Sequence, residues 1–290
     1  MSSIKINNRT PLIATALLVA VMALLGVPMA EGLLLQGETT HGAGGLRRQL
    51  NQSPASPPSV ELLTAGKFVV LTKTGVTTTG PTSLTGAMGT SPITGAAMTG
   101  FALITDPSDT TFSTSSLVTG RVYASDYTSP TPNMLNVAVL DMQTAYVDAA
   151  GRPDPDYTEL GAGNIEGFTL GRGLYKWGTG VDFTSSLTFN GTTTDVWILQ
   201  IAGDVTVGSG ARVTLSGGAK AENIFWQIAG KTDLGTTSHV EGVFLCSTAI
   251  TFKTGSTMNG AALAQTAVTM DSAVIVKESV CDTNAGCVAI

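Results

Sequence analysis

Between Ser185 and Ala273 the chain repeats a short grammar of apolar and polar positions. Leu187-Thr188-Phe189 is followed eighteen residues on by Val205-Thr206-Val207, and Ile250-Thr251-Phe252 is followed at the same step by Val268-Thr269-Met270. Thr232-Asp233-Leu234 lies between the two pairs. A polar residue between two apolar ones, with Gly191, Gly208, Gly210, Gly235 and Gly255 close by, is the pattern of a strand with one face in and one face out. A period of this size predicts a solenoid, in which each coil buries its apolar face against the next. The interval from Thr206 to Asp233 is twenty-seven residues, and Gln200-Ile201-Ala202-Gly203 returns as Gln227-Ile228-Ala229-Gly230 at that same step. One coil is therefore longer, and the extra segment is placed around Val213-Thr214-Leu215. The outward column predicted from this register is Thr188, Thr206, Thr251 and Thr269, with Thr248 and Thr266 beside it; where Val205 and Val207 point in, Thr206 must point out.

Similar patterning precedes this region. Phe68-Val69-Val70-Leu71 reads as a buried strand. Lys73-Thr74-Gly75-Val76-Thr77-Thr78-Thr79-Gly80, Thr82-Ser83-Leu84-Thr85-Gly86, Phe101-Ala102-Leu103-Ile104 and the run from Leu117 to Tyr123 continue the alternation of short strands and turns. One different element interrupts them. Leu135, Ala138, Val139, Met142, Ala145, Tyr146 and Ala149 fall at three- and four-residue spacing, which predicts a helix over about 132–150. Thr131 is the candidate N-cap, Pro132 suits the first helical position, Gly151 suits a left-handed cap, and Pro153 blocks continuation. About twenty residues make a rod of roughly 30 Å, similar to a stack of about six coils spaced about 4.8 Å apart. The helix is expected to lie along one side of the stack, with Met142 and Tyr146 in its core.

The ends differ from the repeats. Lys5 and Arg9 precede an apolar run from Leu12 to Leu25, and Ala30-Glu31-Gly32 supplies small residues at its exit. This describes a secretory signal peptide over 1–32, with an uncleaved membrane anchor as the alternative. Residues 33–58 are rich in Gly, Gln, Ser and Pro and are expected to form a disordered linker, or a pro-segment cut after Arg47-Arg48. The folded domain is placed at 59–276 and a tail or cap at 277–290. Asn51-Gln52-Ser53 and Asn190-Gly191-Thr192 are glycosylation sequons.

Composition removes several functions. The net charge is −6, only 12% of residues are charged and no Lys/Arg cluster exists, so nucleic acid is not an expected partner. With only His41 and His239, a His-based metal site or a His-dependent catalytic triad is not expected, and no cofactor is assigned. Asp195, Asp204, Asp233 and Glu241 are too scattered for the opposed carboxyls of a glycosidase, so the chain is read as a non-enzyme. A carbohydrate-binding or adhesive module is the rival, with Trp177, Trp197 and Trp226 as candidate stacking rings, although each sits in an apolar strand context. Of the three Cys, Cys246 reads as a buried small hydrophobe, while Cys281 and Cys287 could pair and close the carboxyl end.

Several ordered motifs then carry a resemblance. Thr74 to Gly80, the helix from Met134 to Gly151, Glu159-Leu160-Gly161-Ala162-Gly163-Asn164-Ile165, Gly173-Leu174-Tyr175-Lys176-Trp177, Asn223-Ile224-Phe225-Trp226-Gln227-Ile228-Ala229-Gly230 and the run from Asn259 to Thr269 resemble the microbial ice-binding proteins with a discontinuous β-solenoid. The likeness extends over about Val60 to Val276. It implies a mainly β fold: a right-handed β-solenoid of triangular section with one long helix packed alongside. It also implies a secreted protein that adsorbs to an ice crystal surface, depresses the freezing point and inhibits recrystallisation, without catalysis or metal. The chain is expected to act as a monomer, with no stable membrane association once the leader is removed.

Some members of that family carry Thr-Ala/Gly-x-Thr/Asn motifs on the binding face. Thr74-Gly75-Val76-Thr77, Thr248-Ala249-Ile250-Thr251 and Thr266-Ala267-Val268-Thr269 match, and Ser185-Ser186-Leu187-Thr188 nearly does. Gly203-Asp204-Val205-Thr206 and Gly230-Lys231-Thr232-Asp233 depart from the motif, which predicts an array broken in its middle. The expected binding residues are thus Thr74, Thr77, Ser185, Thr188, Thr206, Thr248, Thr251, Thr266 and Thr269.

Overall fold

The computed structural model describes residues 54–277, Asp109 excepted. The leader, Arg47-Arg48, the Asn51 sequon, Cys281 and Cys287 lie outside the described residues. The fold is mainly β with one long helix, and its strands stack in three columns of parallel pairs.

One column is covered by the helix. It stacks Tyr157–Thr158, Gly173–Trp177, Trp197–Ile201, Ile224–Ile228, the second halves of His239–Cys246 and Thr257–Ala264, then Phe68–Thr72, Ala87–Thr90 and the end of Val118–Ala124. Its strands read as unbroken apolar runs because both faces are covered. Phe68–Thr72, Trp197–Ile201 and Ile224–Ile228 are buried at every position. Alternate residues fill the interior of the coils, and the others, such as Leu71, Ile198, Phe225, Val243 and Leu263, pack under the helix.

The helix α1 spans Thr131–Gly151 and presses Leu135, Ala138, Val139, Met142, Ala145 and Ala149 onto this column. Truncating Met142 to Ala would cost about 2–5 kcal/mol. Both ends differ from the sequence expectation. Pro130 occupies the N-cap, Thr131 is already helical, and its hydroxyl donates to Thr111 O at 2.6 Å instead of capping. Gly151 is the last helical residue, and the extended Arg152 follows it. The final carbonyls are met from the solenoid: Gln200 Nε2 donates to Ala149 O at 2.8 Å and to Arg152 O at 2.9 Å. A tertiary donor thus replaces the left-handed cap.

The second column stacks Val181–Phe183, Val205–Val207, Thr232–Leu234, Ile250–Phe252, Ala267–Asp271, Gly75–Thr79 and Met98–Thr99. The third runs through Thr169–Leu170, Ser186–Asn190, Arg212–Ser216, the first halves of the two long strands, Val274–Val276, Ser83–Thr85 and the start of Val118–Ala124. The expected strand Phe101 to Ile104 is absent. Ala102 takes a positive φ there, and only Ile104–Thr105 pairs, antiparallel, with Ser113–Ser115.

The order along the columns is not the order of the sequence. The first coil, Phe68–Thr72 and Gly75–Thr79, stacks directly on the last one, Thr257–Ala264 and Ala267–Asp271. From Phe68 the described chain therefore enters inside the stack, runs out to one end, crosses along α1, and winds back from the other end to meet the coil that holds Phe68–Thr72.

Coil length follows from one corner. In the eighteen-residue coils a single long strand bends from the third column into the first at Gly242 or Gly260. Gly260 has φ 140°, and a Cβ there would lie 1.9 Å from Gly242 O, so only Gly fits. The longest coil replaces that bend with the loop 217–223, whereas Val213–Leu215 lies in a regular third-column strand paired with Ser186–Asn190. The extra length was expected at Val213–Leu215; it sits one turn later, at the corner.

Part of the expected linker is structured. Pro54 O accepts from Arg172 Nε at 2.8 Å, Ser56 Oγ accepts from Val196 N at 2.9 Å, and Pro58 O accepts from Arg152 Nη1 at 3.0 Å.

Candidate functional site

The second column shows the most regular outward chemistry. Its inward positions are mostly apolar: Val181, Val205, Ile250, Val268 and Val76 on one side, with the buried Thr232 among them, and Phe183, Val207, Leu234, Phe252 and Met270 on the other, with the buried Thr78 next to Met270. Between them the outward residues are paired strand by strand in the order Asp182, Thr206, Asp233, Thr251, Thr269, Thr77, Thr99. Seven strands at about 4.8 Å spacing make a face about 29 Å long.

A second row stands at the corner before each strand. Thr74 N–H donates to Thr266 O at 2.9 Å, Thr266 N–H to Thr248 O at 3.1 Å, Gly230 N–H to Gly203 O at 3.0 Å, and Gly203 N–H to Thr179 O at 3.1 Å. The Thr248 hydroxyl donates to Gly230 O at 2.7 Å, which joins the two parts of the row. Between the rows lie the small residues Ala249, Ala267 and Gly75, which leave the floor low.

These rows divide the face. In one half, Thr251, Thr269, Thr77 and Thr99 follow each other without interruption, flanked by Thr248, Thr266 and Thr74. Thr99 Oγ1 donates to Thr77 Oγ1 at 3.0 Å, so neighbouring hydroxyls hold each other in place. The charged residues near this half are Lys73, whose backbone N–H donates to Thr266 O at 3.2 Å beside Thr74, and Lys253 and Asp271 at the opposite ends of their strands; the Asp271 carboxylate is bonded by Thr254 and Ser272. In the other half, Thr206 stands between Asp182 and Asp233. Lys231 Nζ lies 2.8 Å from Asp233 Oδ2, and Lys231 N–H donates to Asp204 Oδ1 at 2.9 Å. The hydrogen bond to Asp233 raises the Lys231 pKa.

Most of the expected binding residues therefore meet on one face: Thr74, Thr77, Thr206, Thr248, Thr251, Thr266 and Thr269. Ser185 and Thr188 do not. Thr188 belongs to the third column, paired with Thr169 and Thr214, and its hydroxyl lies 2.9 Å from that of Thr214. The eighteen-residue step from Thr188 to Thr206 links two different faces, because the residue stacked beneath Thr206 is Asp182, twenty-four positions earlier. Sequence reasoning also missed Thr99 and Thr179. Their strands carry Ala96-Ala97-Met98-Thr99 and Thr179-Gly180-Val181-Asp182, each with one end of the motif altered. Small-small-apolar-Thr was the signal available for Thr99.

The three Trp are interior. Trp177, Trp197 and Trp226 are each at most 1% exposed, and each indole N–H donates to a backbone carbonyl, of Leu160, Leu170 and Glu241 respectively. They offer no platform for a sugar ring. Cys246 is buried, as its apolar setting implied, and burial pushes its thiol pKa up. Asp195 is tied to Arg172 at 2.9 Å, and the Thr192 backbone N–H holds its pKa down. Among the described residues no group of His, Cys, Asp and Glu could hold a metal, and no helix is long and apolar enough to cross a membrane.

The model of the ice-binding-like family matches residues 70–276. This chain belongs to that family. It is 48% identical over 231 residues to an ice-binding protein of Colwellia sp., covering 78% of this chain and 86% of that one. It is 43% identical over 217 residues to an ice-binding protein of Leucosporidium sp. strain AY30, covering 75% and 83%. Among solved structures, the ice-binding protein LeIBP from an Arctic yeast superposes with a TM-score of 0.75 at 42% identity, covering 77% of this chain and 95% of that one. The ice-binding-like match thus spans both the N-terminal coils and those that follow the helix.

Proposed function

We propose that this protein adsorbs to ice through the uninterrupted half of its second column, with Thr251, Thr269, Thr77 and Thr99 as the central row and Thr248, Thr266 and Thr74 beside it. The observation that carries the reading is the strand-by-strand registration of four outward threonines on a stacked parallel sheet. Ice presents a regular array of oxygens and no charge. A binder must therefore hold water in a similar array on a flat, rigid face. Stacked strands fix the spacing, and Thr is stiff at χ1, so little side-chain entropy remains to be lost on adsorption. The hydroxyl anchors water while the methyl leaves that water less tightly held. Each contact is weak, and many on one rigid body act together. The charged half imposes its own hydration and is assigned no comparable role. Ser185 and Thr188 are withdrawn from the site.

On this reading the protein is secreted by the leader at 1–32, acts as a monomer, gives thermal hysteresis and inhibits recrystallisation. The three columns are taken as a right-handed solenoid of triangular section. The experiment is growth of a single ice crystal in the protein beside the double variant Thr251→Tyr/Thr269→Tyr. Faceting and a freezing-point gap are expected in the parent and not in the folded variant. Round, freely growing crystals in the parent would reject ice binding; activity retained in the variant would move the site to another face.

A further inference from the structure

At the corner between the second and third columns, one interior position recurs coil by coil. Ala211, Ser238, Ser256, Ala273 and Thr82 hold it, all at most 3% exposed. Each immediately precedes Arg212, His239, Thr257, Val274 or Ser83, which pair strand by strand. Among the described residues, three buried side-chain atoms have no hydrogen-bond partner: Gln200 Oε1, Ser238 Oγ and Ser256 Oγ. Two of the three are therefore neighbours at this one corner.

The backbones of these two serines are fully used. Ser238 N–H donates to Gly235 O at 3.1 Å and Ser238 O accepts from Thr257 N at 2.8 Å. Ser256 N–H donates to Lys253 O at 2.9 Å and Ser256 O accepts from Val274 N at 3.1 Å. Thr82, the third hydroxyl of the row, is met by protein: it is bonded to Thr78 Oγ1 and accepts from Ala273 N at 3.3 Å. Only the two serine hydroxyls are left over in this row. A buried hydroxyl without a partner is costly, and two side by side point to a partner they share.

The spacing says what that partner is. Parallel strands in register set equivalent atoms about 4.8 Å apart, too far for the hydroxyls to bond each other. One oxygen about 2.8 Å from both would subtend an angle of about 120°, near the tetrahedral value. The inward residues of the same coils are Leu234, Val240, Phe252 and Met258, so an ion would be buried there without a countercharge. A hydroxyl both donates and accepts, and water does the same.

We propose that Ser238 and Ser256 bind one water inside the solenoid, one hydroxyl donating to it and the other accepting from it. The bridge fastens the coil of Asp233 to the coil of Thr251 at their shared corner, where the charged and the ordered halves of the second column meet. It does not depend on the ice reading.

The test joins thermal melts of the full chain, Ser238→Ala, Ser256→Ala and the double variant to a high-resolution crystal structure. Each single variant should melt about 2–4 °C below the parent, because it leaves the water with one partner fewer. The double variant should melt no lower than the weaker single, because both act on the same water. The crystal should show one ordered water within hydrogen-bond distance of both hydroxyls in the parent and none there in the double variant. Hydroxyls with no bridging water predict the reverse, since each Ala would remove an unmet group. Single variants that melt at or above the parent, losses that add in the double variant, or no water between the hydroxyls of the parent would overturn the proposal.

Discussion

Along one column of strands the same scaffold carries two different surfaces. Val205 and Val207 flank Thr206 inwardly just as Val268 and Met270 flank Thr269, and all four are buried. Outwardly, Thr251, Thr269, Thr77 and Thr99 run unbroken, while Asp182, Asp233 and the Lys231–Asp233 pair interrupt the rest. The difference shows that inward residues make the coil and that outward residues vary independently of them. The uninterrupted half also straddles the join between the last coil and the first. Two of its four central threonines come from residues before α1 and two from residues after it. The discontinuous order of the coils is thus what assembles the longest threonine array.

The comparison is broken most strongly on the ordered half. Thr77→Tyr/Thr269→Tyr places two rings at the join and should remove at least about nine-tenths of the thermal hysteresis while the circular dichroism is unchanged, because adsorption is a collective effect of many weak contacts. It is sharpened from the other side. Asp182→Thr/Lys231→Ala/Asp233→Thr extends the threonine row over all seven strands and should raise hysteresis about twofold, since the array then offers nearly twice as many registered positions. Losing the exposed Lys231–Asp233 pair should leave the thermal melt nearly unchanged, because solvent screens a surface pair. Asp182→Tyr, at the far end of the charged half, should change hysteresis by less than about one-fifth on the same collective argument.

The smallest effect concerns pH. The Thr254 hydroxyl, and after it Ser272 and Thr79, lower the Asp271 pKa at the edge of the ordered half. A carboxyl whose pKa is depressed by folding contributes stability above its unfolded value of 3.8, and that contribution is lost as pH falls through the lower folded value. Thermal melts should therefore show a slightly weaker acid dependence in Asp271→Asn than in the parent, and hysteresis near neutral pH should be the same in both.

How much of this was legible in the sequence follows from the same physics. The triplets around Thr206, Thr251 and Thr269 are short, alternate cleanly and sit between glycines, so their strands and outward residues could be read locally. Trp177, Trp197 and Trp226 declared themselves as core by their apolar neighbours, and the spacing of Leu135 to Ala149 gave α1 to within a residue or two. What could not be read is stacking. Register between coils is set by corner loops of different length, here 217–223 against the bends at Gly242 and Gly260. The step from Thr188 to Thr206 therefore matched the true period by number while linking different faces. The cap of α1 was equally hidden, because Gln200 is distant in sequence and reaches the last turn only after the stack has formed. Pro54 to Pro58 has the composition of a linker, and the bonds from Arg172, Val196 and Arg152 that hold it are likewise long-range.

The central claim is that one half of the second column adsorbs to ice and the other half does not. The most direct measurement is incorporation of fluorescently labelled protein into a slowly grown ice hemisphere, comparing the parent with Thr269→Tyr and Thr206→Tyr, the same substitution on opposite sides of Asp233. The account predicts that the parent and Thr206→Tyr enter the ice alike and that folded Thr269→Tyr is excluded. Exclusion of Thr206→Tyr with entry of Thr269→Tyr, or equal behaviour of the two, would contradict it.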